Sequence, residues 1–170
     1  MRHVVKTATL VIESMDQAAR LTHMLKEYLR AYRGFMAKAV KEGGSIDLVQ
    51  FRRKYMPLAV KAIDLGKGHL RCAMKHAVSD YHARREHGLP SYAKVPPSRY
   101  CIAPCKDGRW AVALQWGRGN KHVTVALDGG NDKYQWLDDM YRHGCQRGDL
   151  YISQASDGEW MMGVDLFYDD

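Results

Sequence analysis

A chain of 170 residues with 46% hydrophobic and 26% charged side chains has the composition of a folded protein, which excludes the polar, aromatic-poor signature of disorder and is long enough to bury a core without disulfide staples. Twenty-six Lys and Arg against nineteen Asp and Glu leave a net charge of +7, so a polyanion is the first partner to consider. Four cysteines in no disulfide framework, an opening MRHVVK without an apolar leader core, and no apolar run of membrane-spanning length make a reducing cytoplasm the expected setting.

The β-branched run His3 to Ile12 predicts an opening strand. Ser14 then offers an N-cap, with Gln17 completing a capping box. Leu21, Leu25, Tyr28, Leu29, Tyr32, Phe35, Met36 and Ala39 recur at threes and fours, which predicts a long amphipathic helix ending at Gly43-Gly44. Ser45 or Asp47 caps a short second helix through Tyr55, Pro57 suits the first turn of a third, and Gly66 and Gly68 break or kink that one. Leu70, Met74, Ala77 and Tyr81 are the buried stripe of a final helix reaching about Glu86.

After Gly88 the pattern changes to short strand-like runs at 109–116, 121–128, 149–155 and 159–168, with a helical spacing of Tyr134, Leu137, Met140 and Tyr141 between them. Asp107-Gly108 and Asp157-Gly158 are hairpin dipeptides, each followed by a tryptophan two residues on, a repeated turn chemistry. An opening strand cannot stand alone in water and must pair with the later ones. The expectation is an α+β protein with a helical lobe, 14–88, inserted into an antiparallel β-barrel-like module made of 1–13 and 89–170 with one inserted helix.

Most of the base lies between Arg20 and Lys121, and the acid is concentrated late in the chain. On the final helix, at about 100° per residue, Arg71, Lys75, His82 and Arg85 fall within an arc of about 80° beside the buried stripe. Such a band suits a phosphate backbone. Gly88 and Pro90 turn the chain and deliver Tyr92 and Lys94 just past the helix end, pairing an aromatic with a cation as single-stranded recognition does. The expected RNA contacts are Arg71, Lys75, His82, Arg84, Arg85, Lys94 and Arg99, with Tyr92 as a stacking residue; Trp116, flanked by Arg118 and Lys121 on a glycine turn, is a second stacking candidate. About five phosphate contacts give a slope of log affinity against log salt near −4.5.

Gly88, Pro90, Tyr92 and Lys94 form a G-x-P-x-aromatic-x-K segment that resembles the one following the helical lobe in TnpB-like transposon-encoded RNA-guided nucleases and their relatives, the type V CRISPR effectors. VSDYHARREHG before it is similar to the basic helix of that family, and Asp157, Gly158 and Trp160 to its D-G-x-W strand. The resemblance implies a wedge-like β-module and a recognition-like lobe that hold a structured guide RNA, or an RNA–DNA duplex, by backbone and shape. It also implies that cutting belongs to a separate RuvC-like domain. Asp165 in GVDLFYDD echoes the first RuvC strand, but a two-metal site needs carboxylates from several elements, so no catalytic residue is expected.

Cys72 with His76, Cys101 with Cys105, and His143 with Cys145 have spacings within reach of a zinc ion, but none is a C-x-x-C pair and Pro104 interrupts one, so no metal and no cofactor are assigned. His122 reads as a surface or packed histidine rather than a base. Phosphate-loop, nucleophile-elbow and H-E-x-x-H patterns are missing from the sequence. The sequence therefore points to a non-catalytic RNA-binding protein. The alternatives are a protein-interaction module that mimics and blocks an RNA-guided effector, or one subunit of a split nuclease whose partner carries the nuclease domain.

Overall fold

Ser14 caps the first helix, its hydroxyl accepting from the Gln17 amide at 3.1 Å, while the Gln17 side chain accepts in return from the Glu13 amide at 2.8 Å. The helix ends at Gly43, whose φ of +69° suits glycine and whose amide donates to the Ala39 carbonyl. The computed structural model that shows this describes residues 1–83, 90–119, 121–142 and 145–169. In chain order these form β1 (Arg2–Val11), α1 (Met15–Glu42), α2 (Leu48–Ala62), α3 (Lys67–His82), β2 (Tyr92–Val95), β3 (Tyr100–Pro104), β4 (Trp110–Gln115), β5 (His122–Leu127), α4 (Trp136–Arg142), β6 (Gln146–Gln154) and β7 (Trp160–Tyr168), with a 3-10 turn at Pro97–Arg99.

Two helices expected around residues 47–65 are one. Pro57 lies inside α2, and both it and Arg53, whose carbonyl loses its helical donor, are exposed, so water satisfies the orphan group. The break does fall at Gly66, the N-cap of α3. Helix α3 is described to His82, and residues 84–89, on which the expected helix end near Glu86 and the expected turn at Gly88 fall, lie outside the described residues. Strands β2 and β3 are the elements the sequence concealed: each is short and bordered by Pro96, Pro97 or Pro104.

All seven strands join one antiparallel sheet in the order β2-β6-β7-β1-β5-β4-β3. β1 is the link: Arg2 to Thr9 pair with β7, and only Leu10 and Val11 pair with β5. A flat sheet with six inter-strand gaps would be ~29 Å wide, yet the two edge strands are consecutive in the chain, and the step from Val95 to Tyr100 spans at most about 18 Å. The sheet is therefore strongly coiled. The Tyr100 hydroxyl, donating to the Gly148 carbonyl of β6 at 2.9 Å, draws the far edge back. The ladders end at β2 and β3, so the sheet is not closed into the barrel that the sequence suggested.

Period-two alternation sends Leu150 and Ile152, Met162, Val164 and Leu166, Val112 and Leu114, and Val123, Val125 and Leu127 inward. Leu21, Met24, Tyr28, Phe35 and Ala39 of α1 join the same core, along with Leu70, Ala73, Met74 and Ala77 of α3. The paired hairpin dipeptides behave alike. Gly108 and Gly158 have φ of +85° and +91°, and Asp107 and Asp157 each accept from the amide two residues on, at 3.0 and 2.9 Å. Each turn then feeds a tryptophan, Trp110 or Trp160, into the core.

Candidate nucleic-acid interface

The buried stripe of α3 turns one flank of the helix, Arg71, Lys75 and Ser79, outward. Two glycines fix where the helix starts. A Cβ on Gly66 would meet the Trp116 carbonyl oxygen at 3.1 Å, and one on Gly68 would meet Arg99 Nε at 3.2 Å, so α3 lies directly against the β4–β5 turn and against Arg99. The rigid Pro96-Pro97 step carries the chain from β2 past this flank. Between α3, Lys94 of β2, the Pro96–Ser98 turn and Asp149 of β6 opens a cleft of about 520 Å³. Arg71, Lys75 and Lys94 line it, and Arg99 borders it at Gly68.

None of these four cations has a carboxylate within ion-pair distance among the described residues. Lys94 lays its ammonium over the Tyr151 ring, 5.9 Å from the centroid. Asp149 is the one acid lining the cleft among the described residues, half-buried, and burial pushes its carboxyl above the usual range while Lys94 and Lys75 oppose that and Asp165 adds to it.

A layer of rings and hydrogen bonds backs the cleft. Tyr92 stacks on His76 with centroids 5.4 Å apart and meets Tyr151 edge-on at 5.3 Å. His76 Nδ1 shares a hydrogen bond of 2.9 Å with the Tyr28 hydroxyl, and its Nε2 lies 3.3 Å from Asp80, to which the Tyr32 hydroxyl donates at 2.6 Å. On the other side Tyr151 donates to Asp165 at 2.5 Å, and Asp165 meets His3 Nε2 at 2.8 Å. Burial pushes the Tyr28 and Tyr151 hydroxyls well above the ordinary phenol range, so both stay protonated donors. The layer ties α1 and α3 to β1, β2, β6 and β7.

The expected contact residues thus divide. Arg71, Lys75, Lys94 and Arg99 come together. Arg84 and Arg85 lie outside the described residues. His82 Nε2 accepts from the Ile46 amide at 3.0 Å, so its lone pair fastens the α1–α2 connection. Lys121 reaches Asp64 at the end of α2, and with His23 it holds that carboxyl well below its usual range. Arg118 is exposed on the turn. Trp116 is not at an exposed turn: it is 2% exposed, its carbonyl accepts from the Gly66 amide at the start of α3, and its indole offers no stacking surface. One face of the Tyr92 ring is taken by His76 and its edge by Tyr151, which leaves a base at most the opposite face.

Sequence reading weighed His76 only as a zinc ligand beside Cys72 and did not single out Tyr151 or Asp149. The outward positions of the 149–155 run, flanking Leu150 and Ile152, were the available signal for the last two. Burial pushes the Cys72 thiol up to about 12, the state of an inert packed cysteine. Among the described residues no group of three or more His, Cys, Asp and Glu is arranged to hold a metal ion, and no helix is long and apolar enough to cross a membrane. Compared with known proteins, the chain matches no protein-family model and no curated sequence.

Proposed function

We propose that the protein is a non-catalytic RNA-binding protein of the cytoplasm, and that it grips a sugar-phosphate strand in the cleft between α3 and β2. The observation that carries this reading is the convergence of Arg71, Lys75, Lys94 and Arg99 on one cleft with none of them in ion-pair distance of a carboxylate among the described residues. Leaving four like charges together costs folding free energy through mutual repulsion, and an anionic ligand offsets it. A phosphate backbone presents charges at the regular spacing such a row suits.

In this reading the coiled sheet serves as a barrel-like, wedge-like module and the helices as a recognition-like lobe, as in the TnpB-like and type V effectors that the sequence resembles. The ligand is a structured, guide-like RNA or the duplex it forms with DNA. Cleavage, where it accompanies binding, belongs to a nuclease partner. The test is to purify the protein from cells at low salt and sequence what comes with it. Enrichment of a discrete structured RNA supports the proposal; protein free of nucleic acid, with no affinity for added structured RNA, rejects it.

A second reading has its own observation. Between α1 and α2 lies an apolar groove of about 180 Å³ lined by Phe35, Leu58 and Ile63, the kind of surface a protein-interaction module would use. A stoichiometric protein partner in nuclease-treated extract would favour it.

A further inference from the structure

Asp149 is out of keeping with the charges around it, a carboxylate in a cleft whose other charged lining residues are Arg71, Lys75 and Lys94. It has no hydrogen-bond donor and no ion pair among the described residues. Its position is built. The β6–β7 register shifts between Arg147 and Leu150, a local irregularity of the kind that re-aims a side chain. Gly148 permits it, because a Cβ there would stand 2.8 Å from the Phe167 ring and 2.9 Å from Asp165 Cβ. The Tyr100 hydroxyl then holds the Gly148 carbonyl. Its oxygens are not among the buried polar atoms without a partner, so water reaches them in the free protein, and a ligand that displaces that water must supply a donor in its place.

A phosphodiester oxygen is excluded as that partner, because it repels a carboxylate. The donor must be a neutral group lying beside a phosphate that Lys75 or Lys94 neutralises. On a nucleic-acid strand the ribose 2′-hydroxyl fits, being attached to the carbon next to the one that carries the 3′-phosphate, and it is the group DNA lacks. Building on the RNA-binding reading above, we propose that Asp149 accepts a hydrogen bond from a ribose 2′-hydroxyl and makes the cleft selective for RNA over DNA. The cations bind either nucleic acid, and the carboxylate penalises the strand that leaves it unpaired.

The experiment compares three probes of one sequence by fluorescence anisotropy at fixed salt: the RNA, its all-deoxy counterpart, and a 2′-fluoro version that keeps the ribose pucker without the donor. The wild-type protein is expected to bind RNA roughly tenfold or more tighter than either analogue, the effect of one charge-assisted hydrogen bond. In Asp149→Ala the three affinities converge, chiefly because the analogues bind better once the unpaired charge is gone. Asp149→Asn, which keeps the shape and the acceptor oxygen without the charge, serves should the alanine variant not fold, and narrows the gap. Equal binding of all three probes by the wild type, an RNA-to-fluoro ratio that neither variant changes, or 2′-fluoro binding as tight as RNA overturns the assignment while leaving RNA binding in the cleft intact. If the wild type binds none of the probes, the underlying reading fails and this one with it.

Discussion

Arg71 and Lys75 on one side of α3 and Lys121 on the other read alike in the sequence, as exposed cations flanking a turn or helix end, and the fold gives them opposite fates. At the β4–β5 turn Lys121 finds Asp64 and closes a corner that also includes His23 and the buried Trp116. At the α3–β2 cleft Arg71, Lys75, Lys94 and Arg99 have no acid within ion-pair distance among the described residues, Asp149 lining the same cleft without pairing with any of them. Neutralised charge at the first place serves folding, and on the reading proposed above the unpaired charge at the second serves binding. The distinction lies in partners brought from far along the chain.

The largest effect that would sharpen this contrast concerns the corner. Trp116→Ala removes a fully buried indole and should cost about 3–5 kcal/mol of stability, read by urea denaturation; a loss of RNA affinity with stability unchanged would mean that Trp116 acts as a stacking surface after all.

Next in size is His69, buried beside Arg99 with both ring nitrogens unpartnered among the described residues, and lowered to about 4 chiefly by burial. Its folded value lies below its unfolded one, so the unfolded chain binds more protons between pH 6.5 and about 4. Stability therefore falls as pH drops through that window, by about 1.4 kcal/mol per unit and on the order of 3 kcal/mol in all. Denaturation midpoints measured along a pH series should show this slope, and His69→Phe should flatten it.

Third, neutralising two exposed cleft cations together, Arg71→Gln with Lys75→Gln, should weaken RNA binding on the order of 30-fold, at about 1 kcal/mol per lost contact, with the urea midpoint unchanged or raised as repulsion is relieved. The smallest effect belongs to Lys121→Met: under about 1 kcal/mol of stability, since the pair with Asp64 is partly exposed, and RNA affinity within twofold. Were Lys121→Met to weaken RNA binding as much as the cleft pair does, the division between the two regions would be broken.

What the sequence disclosed were features written in local chemistry. Ser14 and Gln17 set the start of α1, its three-and-four spacing set the buried face, and the two Asp-Gly turns set their hairpins, each from residues adjacent in the chain. The cationic flank of α3 was legible for the same reason. What stayed hidden depends on tertiary partners. β2 and β3 are short and flanked by prolines, and they are strands only because β6 and β4 hold them. Pro57 signals a helix start everywhere except in an exposed helix interior where water replaces the lost bond. Trp116 looks exposed beside Gly117 and Gly119, yet it is buried, and Gly66 at the start of α3, far from it in the chain, packs against its carbonyl. Asp149 shows locally only that it flanks Leu150 on the outward side of its run, and the strand irregularity that aims it involves Phe167 and Tyr100.

The most direct test of the central claim is the salt dependence of binding to a structured RNA between roughly 50 and 200 mM salt. Four cleft contacts predict a slope of log affinity against log salt of about −3.6 on duplex or −2.8 on single strand, made shallower by about 1.8 or 1.4 in the Arg71→Gln, Lys75→Gln variant. A flat response, or a slope the variant leaves unchanged, would contradict a phosphate strand held in the α3–β2 cleft.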